Sequence, residues 1–231
     1  DESLKFSLVD AIFESTSGWT TTGATVISNI DNLNKPLLLY RQLLQWLGGI
    51  GIVVLVLAIL PILGVGGMYL YKAETSSPVK DNKLSPRITE TAKSLWGVYI
   101  VLTIACAVLY KIAGMSYFDA IGHSFSTVSI GGFSTHDASI GFYSSDLIKI
   151  ICMVFMFLSA LNFVLHFLFY KNKSLTIYTS NSEMKSFLLI IIILLLLVTI
   201  FSTGGRTQSL ENIDIMFHIL SFATTSGFTV S

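Results

Sequence analysis

Three stretches of this chain carry hydroxyl residues and glycine at a spacing that suits chemistry done by backbone oxygens. They read DAIFESTSGWTTTGAT from Asp10, DAIGHSFSTVSIGGFST from Asp119 and DIMFHILSFATTSGFT from Asp214, and in each a Gly follows the Asp by thirteen residues: Gly23, Gly132 and Gly227. Ser17, Ser126 and Ser221 share a column, as do Thr20, Ser129 and Thr224, so the units form an internal repeat. Glycine permits φ > 0 and keeps side-chain bulk away, which lets successive carbonyl oxygens face one way. Carbonyls arranged like this replace the hydration shell of a monovalent cation, helped by the negative ends of helices aimed at the same point. The break from helical geometry is expected at residues 20–24, 129–133 and 224–228. Plain polar turns are the alternative, and three in-register copies argue against it.

Each Asp stands where a helix would start. Asp10, Asp119 and Asp214 read as N-caps, or as a ring of carboxylates gathering cations at an outer mouth, and the two readings are compatible. From each Asp to its cluster there are about ten helical residues, about 15 Å, which reaches only halfway through a bilayer.

Composition places these units in a membrane. Charged residues make up 12% of the 231 and apolar residues 52%, with a mean hydropathy of +0.72. Four segments, 38–63, 95–113, 147–170 and 187–201, are expected to span it. Net charge is zero and no basic run exists, which argues against a nucleic-acid partner. Eight of the fourteen Lys and Arg residues fall in segments 71–93 and 171–185, so these loops are expected on the cytoplasmic side and the repeated units enter from outside. The expected fold is an all-α polytopic membrane protein of helix–pore loop–helix units. Its parts are repeat 1 (1–70), a loop (71–93), repeat 2 (94–170), a loop (171–185) and repeat 3 (186–231). The chain starts with Asp and stops soon after the third Gly, so it reads as a fragment.

These clusters, together with RQLLQWLGGIGIVVLVLAILPILGVGG after the first and FDAIGHSFSTVSIGGFSTHDASIGFY around the second, resemble the Trk/Ktr/HKT potassium-transporter superfamily. AETSSPVKDNKLSPRITETAKSLW and LNFVLHF are similar to the bacterial Trk-type membrane subunit, TrkH. The resemblance implies potassium (K+) uptake across a bacterial inner membrane through a pseudo-fourfold pore built from four such repeats, three of which are present here. It also implies a homodimer and a cytosolic nucleotide-binding regulatory partner of the TrkA kind. By position, the ion-facing carbonyls would be those of Thr21, Thr22, Ile130, Gly131, Thr225 and Ser226, with Gly23, Gly132 and Gly227 as the filter glycines. A Ser in place of Gly23 accompanies sodium permeation in related plant transporters, so the chain leans towards potassium.

Other residues invite quieter readings. His123 and His218 share a column with Glu14 and are expected to pack or hydrogen-bond behind the filter, and His136-Asp137 follows the second cluster. His166 reads as a helix contact. Arg41 is expected to snorkel at an interface, and Gly48, Gly49 and Gly51 to let helices approach closely. Cys106 and Cys152 are expected to pack in apolar surroundings. The loop segment 73–90 reads equally as a solvated connector and as a contact for a cytosolic partner. A sodium or mixed-cation pathway is the competing transport reading, and a polytopic membrane enzyme is the competitor from another class. An enzyme has no need of three matching units.

Overall fold

The structure is a computed structural model describing residues 7–59, 88–203 and 212–230. Its regular elements are helical: α1 (Leu8–Trp19), α2 (Lys35–Ile59), α3 (Ile88–Ile112), α4 (Tyr117–Val128), α5 (Asp146–Ala160), α6 (Phe163–Asn172), α7 (Thr176–Ser180), α8 (Ser182–Thr203) and α9 (Asn212–Ala223). Short 3-10 turns lie at Ile30–Asn32 and Ser139–Phe142. The repeated units supply α1, α4 and α9, each of 12 residues. At 1.5 Å per residue each is about 18 Å long, half a bilayer.

The first expected span is α2 as far as Ile59, and residues 60–63 lie outside the described part, as do residues 71–87 of the first cationic loop. Helix α3 begins at Ile88, inside the expected loop, and its stretch Lys93–Ile112 is long and apolar enough to cross a membrane. Val101, Ile104, Val108 and Ile112 are exposed along one stripe of α3, a face suited to lipid. Tyr99, Thr103, Cys106 and Tyr110 form its buried face. Cys106 and Cys152 are both free thiols in that core, the packing role expected of them. Helix α8 contains the fourth expected span.

The expected third span, 147–170, is not one helix. It breaks between α5 and α6, which are bent by 92°. No Pro or Gly marks the place. Asn162 acts as a cap, its side chain accepting from the Val164 N–H at 3.0 Å and starting a new helix in a different direction. His166 crosses the bend, with Nε2 donating to the Leu158 carbonyl at 2.9 Å and Nδ1 bonded to the Tyr178 hydroxyl at 2.7 Å. The Leu158 carbonyl, which also accepts from the Leu161 N–H at 3.2 Å, thus ties the end of α5 to α6.

Helix α2 is the strut that positions the repeated units, packing on α1, α3 and α4. Trp46 stands at the junction. Its indole donates to Thr103 at 3.0 Å, its carbonyl accepts from the Tyr99 hydroxyl at 2.9 Å, and its ring lies 5.1 Å from that of Phe125. Gly48 and Gly49 permit this closeness, because a Cβ at 48 would overlap the Trp19 carbonyl oxygen and one at 49 would come within 2.8 Å of Ser129. Gly51 meets no atom within 4 Å among the described residues.

Arg41 does not snorkel. It is 2% exposed and bonds Glu14 through Nε at 2.8 Å, the Ser134 carbonyl at 3.3 Å and Thr25 at 3.2 Å, while its guanidinium lies 4.3 Å from the centre of the Phe133 ring. Glu14 in turn accepts from Thr25 Oγ1 and the Val26 N–H. The partner that draws Arg41 inward comes from α1, a contact that the local sequence around 41 does not display.

Two outcomes follow from this strut. Gly48→Ala is expected to abolish the monodisperse peak in detergent, because the obstruction is backbone and cannot rotate away. Arg41→Met leaves Glu14 buried and unpaired, an effect of about 3–5 kcal/mol, and is expected to lower the thermal midpoint sharply. Arg41→Met with Glu14→Gln should recover much of the loss; a melt of all three proteins checks it.

Candidate functional site

The first two repeated helices begin with a serine rather than with the aspartate. Ser7 caps α1 by accepting from the Asp10 N–H at 3.1 Å, while Asp10 accepts from the Ser7 N–H at 3.1 Å, a reciprocal capping box. Ser116 caps α4 by accepting from the Asp119 N–H at 3.1 Å. Asp10 and Asp119 are therefore third-position residues, not N-caps, and Ser-x-x-Asp was the readable signal. The carboxylates are also engaged individually: Asp119 by Ser116 and Thr135, and Asp214 by the Lys149 ammonium at 2.6 Å. Such separate partners do not favour a free ring of charge.

The other end of each helix follows one plan. N–H groups of Thr22, Gly131 and Ser226 reach back five residues to the carbonyls of Ser17, Ser126 and Ser221 at 2.8–2.9 Å, and those of Thr21, Ile130 and Thr225 reach back three. This is the Schellman motif, which needs a left-handed residue just beyond the cap. Glycine usually supplies it. Here Thr21 (φ 54°), Ile130 (φ 56°) and Thr225 (φ 62°) do, all β-branched, at a cost of about 1–3 kcal/mol each. Two residues later Gly23, Gly132 and Gly227 have φ of 77°, 78° and 77°. Positive φ at alternate positions turns neighbouring carbonyls towards the same side, whereas an extended strand would point them apart.

Backbone from the three units also meets. A Cβ built on Gly23 would overlap the Gly131 carbonyl oxygen and lie 3.6 Å from that of Ser226, and one built on Gly132 would overlap the Ser226 oxygen. Serine hydroxyls anchor the segments from behind: Ser17 donates to the Ala24 carbonyl at 2.6 Å and Ser221 to the Phe228 carbonyl at 2.8 Å. Ser126 departs from this pattern and donates to Gln45 Oε1 at 2.6 Å.

The residues beyond the first two clusters clasp each other. Asp137 accepts from the Ile30 and Asp31 N–H groups, Asp31 accepts from the Asp137 N–H, and His136 Nδ1 bonds Asp31. Phe142 stacks on His136 with centroids 3.6 Å apart. The His136 bond, opposed by burial and supported by the Asp137 N–H, holds the Asp31 carboxyl below its usual range. Its contribution is complete above about pH 4 and is lost as pH falls through the lowered value. Behind, the buried His123 ring bonds the Asp119 carbonyl and Ser134, both at 2.9 Å, as its column suggested.

Of the nine residues read from sequence as the ion site, Gly23, Gly131, Gly132 and Ser226 touch across the units, while Thr21, Ile130 and Thr225 hold the left-handed turns. Thr22 lies between two positive-φ residues, with its hydroxyl 2.8 Å from that of Thr20. Gly227 has the matching φ and meets no atom within 4 Å among the described residues. Sequence reasoning missed Gln45, Arg41 and Lys149, polar residues placed in apolar helices.

The TrkH family, described as cation transport proteins, matches residues 1–202. The Trk system potassium uptake protein TrkH of Halomonas elongata is 54% identical over 97% of this chain and 47% of its own length, and that of Escherichia coli K12 is 49% identical over 99% and 48%. The crystal structure of the potassium transporter TrkH from Vibrio parahaemolyticus superposes with a TM-score of 0.80 at 44% identity, covering 98% of this chain and 46% of that one. The chain thus spans about half the length of the relatives it matches. By sequence along most of its length and by fold, it belongs to the TrkH family of cation transport proteins.

Proposed function

We propose that the chain forms part of a potassium-uptake pathway, with K+ as the transported ion and the carbonyls of Thr21, Thr22, Ile130, Gly131, Thr225 and Ser226 as its ligands. One observation carries this reading: three helix ends present the same left-handed turn and glycine, and backbone from the three units meets at one place. The hydroxyl ties behind the segments brace that backbone without adding formal charge. Helix C-termini aimed at the same region add negative potential. Relatives named as potassium uptake proteins support the choice of ion.

The same proposal places the protein in a bacterial inner membrane, with the repeats bounded at 1–70, 94–170 and 186–231. Segments 71–93 and 171–185 face the cytoplasm, where a nucleotide-binding regulatory subunit of the TrkA kind would dock, and two copies assemble as a homodimer.

Gly23→Ser and Gly132→Ser each force a side chain against a carbonyl oxygen of the next segment and into a left-handed backbone; Gly227→Ser meets the backbone restriction. A Cβ in that conformation costs about 1–2 kcal/mol, so K+ over Na+ discrimination should fall about tenfold. The check is relative uptake by the purified full-length protein in liposomes, with monodispersity measured alongside. Unchanged discrimination in three well-folded variants would mean that the ion passes elsewhere.

A further inference from the structure

Gln45 lies on α2, within the first repeat, yet its amide serves the second. The side chain is fully buried. Nε2 donates to the Gly131 carbonyl at 2.6 Å, and Oε1 accepts from Ser126 Oγ at 2.6 Å and from the Phe133 N–H at 3.1 Å. Chemistry fixes which end of the amide is which, since the Gly131 oxygen only accepts and the Phe133 N–H only donates.

Comparison of the three units explains why the amide is there. The column that holds Gly131 holds Thr22 in the first unit and Ser226 in the third. Gly131 is absent from the residues with positive φ, so its backbone does not demand glycine. Space does: a Cβ at 131 would overlap the Gln45 amide carbon and oxygen. The missing side chain and the inserted amide are therefore complementary. Ser17 and Ser221 reach the backbone beyond their glycines directly, whereas the amide intervenes between Ser126 and Phe133.

We infer that Gln45 is a selectivity-determining positioning residue, which fixes the direction of the Gly131 carbonyl and weakens its pull on a cation. The inference rests on the proposed reading of the site as a K+ filter. A carbonyl has two lone pairs, so one short N–H bond leaves it able to face an ion but lowers its negative potential. The same oxygen abuts Gly23, so its direction also sets the seam between the first and second segments. The second unit then coordinates less strongly than the first and third.

The test uses the full-length protein in liposomes and reads the K+/Na+ uptake ratio, half-saturation for K+ and thermal stability. Gln45→Met has similar volume and no hydrogen bonds; it is expected to remain monodisperse and to lower the ratio at least about fivefold. Gly131→Ser is expected to fold poorly in the native background. In a Gln45→Ala background the vacated space admits the serine, so Gln45→Ala with Gly131→Ser should recover monodispersity and a ratio above that of Gln45→Ala alone. A native ratio in folded Gln45→Met overturns the inference, and so does Gly131→Ser being tolerated no better with Gln45→Ala than without it. If the unaltered protein itself fails to prefer K+, the functional reading falls; the pairing of 45 with 131 is still decided by the folding of the double variant.

Discussion

A helix that ends inside a membrane protein must satisfy its last carbonyls without water, and the rest of this structure answers that constraint. Non-helical backbone at such depth survives only when protein surrounds it or water is enclosed. The Schellman turn meets the demand within the chain by closing two bonds at once, on condition that one residue turns left-handed. Using Thr21, Ile130 and Thr225 for that residue is locally unfavourable. It leaves the glycines free for the second positive φ, where at Gly23 and Gly132 crossing backbone leaves no room for a Cβ. Strain at one position and emptiness at another are parts of one design.

Strain of this kind persists only where surroundings over-determine the backbone, and α2 shows how. Arg41, Gln45, Gly48 and Gly49 recur at helical spacing along one face. The charged residue holds the loop after α1, the amide holds the second segment, and the two glycines admit the ends of α1 and α4. Lys149 gives α5 a comparable role toward α9 through Asp214. A buried ion pair adds little net stability over apolar packing. What Arg41 and Glu14 add is a fixed direction for the chain leaving the first segment.

The repeat, its half-length helices and the glycine column were legible because each rests on local sequence: periodicity, hydroxyl spacing and the absence of side chains. The capping serines were legible too, three residues before Asp10 and Asp119, and were overlooked in favour of the more conspicuous acid. Arg41 and Gln45 were visible as polar residues on one face of an apolar helix, but not their partners, which lie 27 and 86 residues away. The break at Asn162 defeated hydropathy altogether. A window of apolar residues reports that a segment avoids water and is silent on whether a side-chain amide has captured a backbone N–H.

The proposed coordination by backbone carbonyls imposes symmetry on backbone atoms only. The three units comply: their helix-end bonds, left-handed turns and glycine torsions agree to within a few degrees or tenths of an ångström. Nothing requires the groups behind that backbone to match, and they do not. Glu14 binds an arginine, His123 a serine hydroxyl; Ser17 and Ser221 tie their own chains, while Ser126 works through an amide borrowed from the preceding repeat. In a single polypeptide each position can change without changing its counterparts, so supports drift apart while torsions stay equal. On the proposed reading as a K+ filter, an ion would then meet carbonyls alike in position and unlike in strength.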